Sequence, residues 1–262
     1  MSRIDAAFSR IRGRERPGLV TYVTAGDPSL AATAEILVRL EAAGADVLEV
    51  GAPFSDPLAD GPVIQRATER ALAGGTHLDG VLDMVASVRP RLRVPVVLFS
   101  YANPMFRMGL TRFADRAAAA GVDGVLTLDV PPEEADEVRG ALAARGVDTI
   151  FLLSPTTSTA RIQRAAELGS GFLYGISRLG VTGARDEVAD SAQELAERVR
   201  QVTTRPLALG FGISRPEHVR AIGRWADAAV VGSALVSVIA RHGGSPQLLD
   251  EVERYVRWLT AP

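Results

Sequence analysis

One phrase recurs along the chain and restricts the folds open to it. It reads "AAGADVLEV" from Ala42, "AAGVDGVLTLDV" from Ala119 and "AARGVDTIFLL" from Ala143. Each copy ends an amphipathic helical pattern, crosses a glycine and a polar residue, and enters a short apolar run. A glycine just past a helix takes the left-handed conformation that other residues resist, and a run apolar on both faces reads as a strand of a covered parallel sheet. Looser versions are "ELGSGFLYGI" from Glu167 and "RWADAAVVGSA" from Arg224. Between them lie helical patterns such as "LAATAEILVRLEAA" and "AQELAERVRQV".

The pattern predicts strands at Leu19–Thr24, Val47–Val50, Val96–Ser100, Gly124–Leu128, Thr149–Leu153, Phe172–Ile176, Leu207–Gly210 and Ala228–Val231, each followed by a helix. Eight alternating units favour an α/β fold closed as a (β/α)8 TIM barrel, with an extra N-terminal helix over about Ile4 to Arg12. A doubly wound open sheet remains the alternative if one short strand is misread. No low-complexity linker divides the chain, so residues 1–262 are expected to form a single domain.

Composition narrows the chemistry. The chain has no cysteine and no lysine; all 29 basic residues are arginine. Thiolate catalysis, disulfides and Schiff bases to lysine are excluded, including covalent pyridoxal phosphate on this chain. The three histidines, His77, His218 and His242, have no ligand spacing, and no metal is expected. A net charge of −2 gives no footprint for nucleic acid. The opening "MSRIDAAFSRIRGRERP" lacks an apolar signal core, and no apolar run is long enough to cross a membrane, so a cytoplasmic protein is expected. Asp, Glu, Ser, Thr, Tyr and Arg remain to do chemistry.

In such barrels functional groups gather at the carboxyl ends of the strands. After strands seven and eight stand "GFGIS" and "GSALV", which put Gly and Ser where helices begin. Unpaired amides and helix dipoles there suit a phosphate, although Gly and Ser also serve as plain turn and cap residues. "SRLGVTG" adds a third glycine-rich end, and the polar "ARDEVADS" behind it is long enough for a lid. Glu49 sits inside the apolar run "DVLEVG", and Asp56 and Asp60 follow in "GAPFSDPLADGP". A partly desolvated glutamate suits acid–base work; the alternatives are a rim glutamate or one paired with arginine. Asp60 alone could cap the next helix, and Asp56 alone could be a turn residue. Tyr22, Tyr101, Tyr174 and Asp129 also lie at or near strand ends, as core or as ligand contacts.

At "LEVGAPFSDPLADGPVIQRA" the chain closely resembles the tryptophan synthase alpha subunit family. The likeness continues through "YVTAGDPS", "YANP", "DVPPEE", "SRLGVTGAR", "GFGIS" and "GSALV" in family order, over essentially the whole length. The resemblance implies retro-aldol cleavage of indole-3-glycerol phosphate to indole and glyceraldehyde 3-phosphate. It implies Glu49 as general acid–base and Asp60 as second carboxylate. Substrate contacts fall on Tyr174, Thr182, Tyr101 and Phe211, and phosphate binding on Gly183, Gly212, Gly232, Ser233 and the Phe211 segment. Pro53, Asp56 and Asn103 fall where the family meets a beta subunit, which would carry pyridoxal phosphate in an alpha2beta2 assembly. Leu179 and Leu128 depart from the residues common in the family and would bear on the lid and the indole pocket. A stand-alone lyase releasing free indole shares the motif; a phosphosugar isomerase lacks it, and a catalytically dead partner would not need both Glu49 and Asp60.

Overall fold

The computed structural model describes residues 1–176, 185–210 and 212–261. Eight strands follow one another: β1 Gly18–Thr24, β2 Val47–Gly51, β3 Val96–Ser100, β4 Gly124–Thr127, β5 Asp148–Leu153, β6 Leu173–Ile176, β7 Leu207–Gly210 and β8 Ala228–Val231. All pair in parallel and in sequence order, and the circle closes where Gly18 and Leu19 of β1 meet Ala228 and Ala229 of β8. That last pairing removes the open-sheet alternative. The expected strands stand within one residue of these bounds. β4 ends one residue early, at Thr127, although the Leu128 N–H still donates to the Ser100 carbonyl at 3.0 Å, and β2 runs one residue longer, to Gly51.

The helices are α1 Arg3–Arg12, α2 Leu30–Ala42, α3 Pro62–Ala73, α4 Leu78–Val88, α5 Ala102–Met108, α6 Leu110–Ala120, α7 Asp136–Ala143, α8 Thr159–Leu168, α9 Arg185–Val202, α10 Pro216–Ile222, α11 Ser233–His242 and α12 Leu248–Leu259. The glycines of the recurring phrase do what the sequence asks: Gly44, Gly121 and Gly146 have φ of 104°, 80° and 69°.

Alternation along each strand builds two cores. Outward residues such as Leu19, Leu48, Leu98 and Val125 pack under the helices. Inward residues, among them Val20, Val47, Val97, Leu126, Ile150 and Phe172, fill the barrel. α1 closes the amino end of the barrel by driving Ile4, Phe8 and Ile11 into the same cluster, with the Phe8 and Phe172 rings 5.1 Å apart. Each such side chain contributes about 1.5–3 kcal/mol on burial.

Three aspartates of the recurring phrase finish that end. Asp46, Asp123 and Asp227 stand just before β2, β4 and β8, and each exchanges two bonds with the strand beside it. The Asp N–H donates to the carbonyl of Leu19, Val96 or Leu207 at 2.8, 2.8 and 2.9 Å. The carboxylate accepts the N–H of the same residue at 3.0, 2.8 and 2.8 Å. Each carboxylate also meets two arginines: Arg14 and Arg16 on Asp46, Arg3 and Arg89 on Asp123, Arg12 and Arg200 on Asp227.

Candidate active site

At the other end the carboxylates are treated differently. Glu49 lies in register with Tyr22 of β1 and Val97 of β3, on the face that points into the barrel. It has no solvent exposure. Its Oε2 accepts a hydrogen bond from the Tyr174 hydroxyl at 3.2 Å, while Oε1 has no partner among the described residues. Burial in this apolar setting raises the Glu49 pKa to about 8; the Tyr174 bond opposes the rise and the nearby Asp60 charge adds to it. Among the described residues no arginine pairs with it, and its burial removes the rim reading of Glu49.

Asp60 does not cap α3. Gly61 is the N-cap, Pro62 opens the helix, and no side chain supplies a capping bond. The Asp60 carboxylate instead accepts from the Tyr101 hydroxyl at 3.2 Å. That hydroxyl in turn accepts the Ala59 N–H at 3.0 Å, and the Tyr101 ring lies 5.2 Å from Phe54. Partial burial pushes the Asp60 pKa up to about 6, against the pull of the Tyr101 bond. Two acids at one mouth thus titrate in well separated ranges, the pattern that assigns one as proton donor and the other as anion near neutrality.

The mouth between them is apolar. Phe99, Leu128, Leu152 and Ile176 are half-buried and pack on the cluster holding Tyr174 and Val230. Tyr22 is buried, edge-on to Phe99 at 5.2 Å, with its hydroxyl 3.4 Å from Thr24. A flat aromatic group suits such walls. Gly51 makes the arrangement possible, because a Cβ there would stand 2.2 Å from the Tyr22 hydroxyl. A glycine closing a strand hints at such close approach, yet the sequence alone gives no neighbour.

At the expected phosphate end, Gly232 is the N-cap of α11 and Ser233 its first, exposed residue. Gly212 is exposed in the turn after β7 with φ of 63°. "GFGIS" does not itself open a helix, in contrast to expectation: α10 starts only at Pro216, with Arg215 at its N-cap, because proline fixes the first turn there. Thr182, Gly183, Phe211 and Leu179 lie outside the described residues. Of the expected partner contacts, Asp56 and Asn103 are exposed and Pro53 is buried. Leu58, in the same loop as Asp56, is 95% exposed. Asp129 serves the frame, accepting the Ala102 N–H at the start of α5 at 2.8 Å. Gln65 was not foreseen: its Nε2 donates to the Asp60 carbonyl at 2.8 Å and the Pro57 carbonyl at 3.4 Å.

The family profile described as "Tryptophan synthase alpha chain" matches residues 8–260. The chain belongs to the tryptophan synthase alpha chain family. The alpha chain of Citrifermentans bemidjiense is 49% identical over 256 residues, covering 98% of this chain and 96% of the relative. The solved tryptophan synthase subunit alpha of Legionella pneumophila superposes with a TM-score of 0.90 at 37% identity, over 99% of this chain and 97% of that one. A chain from the Pyrococcus furiosus structure, described as an a2b2 complex with mutual activation, superposes with a TM-score of 0.87 at 36% identity, over 93% and 98%. As an alpha chain of this family, the protein is a carbon–carbon lyase acting on indole-3-glycerol phosphate.

Proposed function

We propose that the cleavage runs on Glu49 and Asp60 in different protonation states. The observation that carries this reading is the Glu49 carboxyl: fully buried, one oxygen held by Tyr174, the other unpaired among the described residues and beside a second acid. With a pKa of about 8, Glu49 keeps its proton near neutrality. It donates that proton to C3 of the indole ring, forming an indoleninium. As a carboxylate it then takes the proton of the hydroxyl on the adjoining side-chain carbon. The oxygen forms the aldehyde carbonyl, the carbon–carbon bond breaks, and its electrons return to the ring nitrogen. Indole and glyceraldehyde 3-phosphate leave, and Glu49 is again protonated, so the proton count balances without metal or Schiff base.

Asp60, with a pKa of about 6, is ionised at the same pH. It accepts the indole N–H and offsets the positive charge that develops there. Tyr174 and Tyr101 orient the two acids, and Tyr22, Phe99 and Leu128 form walls for the indole. Gly212, Gly232 and Ser233 supply the phosphate contacts, together with Gly183 and Phe211, and Thr182 belongs to the lid. The whole chain acts as one cytoplasmic barrel domain. It carries no cofactor of its own and works with a beta subunit that holds pyridoxal phosphate, meeting it through Pro53, Asp56 and Asn103. Among the described residues no helix is long and apolar enough to cross a membrane.

The experiment is an assay of purified chain with indole-3-glycerol phosphate, alone and with a beta subunit of the same organism, for wild type, Glu49→Gln and Asp60→Asn. Both variants should lose turnover, and the beta subunit should raise the wild-type rate. A high basal rate indifferent to the beta subunit would favour the stand-alone lyase; full activity in Glu49→Gln would remove the acid assigned above.

A further inference from the structure

The segment from Phe54 to Asp60 leaves the barrel at Pro53 and returns only at α3. Its internal bonds are few: Leu58 N–H to Asp56 O at 2.9 Å, Asp60 N–H to Pro57 O at 3.1 Å, and the Ser55 hydroxyl to Asp56 at 2.6 Å. Among the described residues two side chains from outside tie it down by hydrogen bonds. Tyr101, at the end of β3, holds the Asp60 carboxylate and the Ala59 N–H. Gln65, on the first turns of α3, holds the carbonyls of Asp60 and Pro57 with one amide nitrogen.

The base from which Gln65 reaches is itself fixed. Arg70, one and a half turns further along α3, meets Asp27 of the loop after β1 through two bonds of 2.9 and 2.7 Å. Asp27 is buried, and the paired geometry sets angle as well as distance. Thr76, just past α3, packs where Gly26 of that loop has no side chain. α3 is therefore clamped to the β1 end of the barrel, next to the strand that carries Tyr22.

We propose that Gln65 is a positioning residue for the lyase reaction, orienting the Asp60 carboxylate by fixing the peptide group from which that side chain springs. This rests on the assignment of Asp60 above. Tyr101 holds the carboxylate at one oxygen and the Ala59 N–H before it, but leaves the Asp60 carbonyl free to turn. Gln65 removes that freedom by gripping the carbonyl of the same residue and a second carbonyl three residues before it. Displacing a catalytic group by about 1 Å can cost about 100-fold in rate.

The test compares Gln65→Met, which keeps length and removes both donors, with Gln65→Glu, which faces two carbonyls with a carboxylate near Asp60. Asp60→Asn is measured beside them. For Gln65→Met, kcat should fall about 10- to 100-fold with KM changed less than about threefold, and the melting temperature should move little. For Gln65→Glu, the added negative charge should also move the acid limb of the kcat/KM profile to higher pH, a displacement that loss of fold stability does not produce. Wild-type kcat in Gln65→Met, or a loss that follows the melting temperature with the acid limb of Gln65→Glu unmoved, overturns the proposal. If Asp60→Asn itself keeps full activity, the assignment of Asp60 fails first; if it is inactive while Gln65→Met is normal, only the role of Gln65 fails.

Discussion

Asp227 at the amino end of the barrel and Glu49 at the carboxyl end both sit on or beside parallel strands of one sheet, and both carboxyls are withdrawn from water. Around Asp227 burial raises the pKa, but Arg12, the Leu207 N–H and Arg200 outweigh it and hold the group below its ordinary value. Around Glu49 burial has one hydroxyl to oppose it, and the pKa climbs to about 8. The same physics of desolvation therefore gives an anchored anion at one end and a stored proton at the other. The number of donors supplied decides between them. Asp46, Asp123 and Asp227 are anchored by arginines and strand amides at the amino end, where burial also raises the pKa of the phrase's Asp148, and at the carboxyl end Glu49 is the raised group to which the proposed chemistry is assigned.

The sharpest way to break this comparison is to remove the Glu49 charge. Glu49→Gln should lower kcat by about 10²–10⁴-fold or more, because the proton donor is gone. It should at the same time stabilise the protein above neutral pH. The sign follows from the raised pKa. A carboxyl that holds its proton more tightly when folded favours folding fully below its ordinary value of 4.5 and loses that advantage as pH rises through about 8. Thermal melts of both proteins should coincide near pH 4 and separate toward pH 9, with Gln65 and Tyr174 untouched. A Glu49→Gln protein less stable than wild type at pH 9 would mean that Glu49 is paired in solution.

Asp227→Ala should do the reverse. Removing one partner of a buried ion pair leaves Arg12, Arg200 and the Leu207 N–H without their acceptor, and such losses run to about 3–5 kcal/mol. Its side chain is 9% exposed while Arg12 is 44% exposed, so part of the arginine charge can return to water and the lower end of that range is expected. Denaturant midpoints measure the loss, and kcat of the folded fraction should stay within about twofold of wild type. Stability from Asp227 is present above its ordinary pKa and is lost as pH falls through the depressed folded value, so the difference between the two proteins should shrink in acid.

This contrast also explains what could be read from the chain. Five strands, β2, β4, β5, β6 and β8, follow from a local signal, a helix, a glycine and an apolar run; the other three follow from apolar runs between helical patterns, and the structure keeps all eight within one residue. Glu49 stands out because an acid inside "DVLEV" violates the pattern around it. The aspartates of the recurring phrase are as visible in sequence, as the polar residue before the strand, but their partners are not. Arg12 and Asp227 lie 215 residues apart, and only closure of the barrel brings them to 2.7 Å. The same holds for Asp60. Its place before "GPVIQRA" suggests a helix cap, and the Tyr101 hydroxyl, 41 residues away, gives it another task. Gln65 was hidden for a different reason, since a glutamine on a helix surface carries no pattern until its carbonyl partners are known.

A gentler measurement sharpens the comparison within the carboxyl end. The two acids predict a bell-shaped kcat/KM for the free enzyme, rising as Asp60 ionises near pH 6 and falling as Glu49 loses its proton near pH 8. Rates should change about tenfold per pH unit outside those limbs, with the maximum near pH 7. A flat profile between pH 4 and 9 would mean that the two environments do not separate the acids.

The smallest expected effect comes from Tyr101→Phe, which keeps the ring against Phe54 and removes only the hydroxyl. Among the described residues that hydroxyl is the side-chain donor to the Asp60 carboxylate, and its bond works against the rise caused by burial. Without it the Asp60 pKa climbs further, by about one pH unit for a single hydrogen bond to the charged form. The rate at pH 5 should then fall up to about tenfold, while the rate at pH 7 falls by about twofold or less. The basic limb, set by Glu49 and its own partner Tyr174, should stay where it is. At the amino end the equivalent change is muted: Arg12→Ala still leaves Asp227 with Arg200 at 2.5 Å and the Leu207 N–H at 2.8 Å. A single lost donor is therefore felt at the mouth, where each acid has one hydroxyl among the described residues, and absorbed at the base, where Asp46, Asp123 and Asp227 each have three donors or more. An acid limb that does not move in Tyr101→Phe would show that water replaces the hydroxyl without cost, and that the carboxyl end is as well supplied with donors as the base.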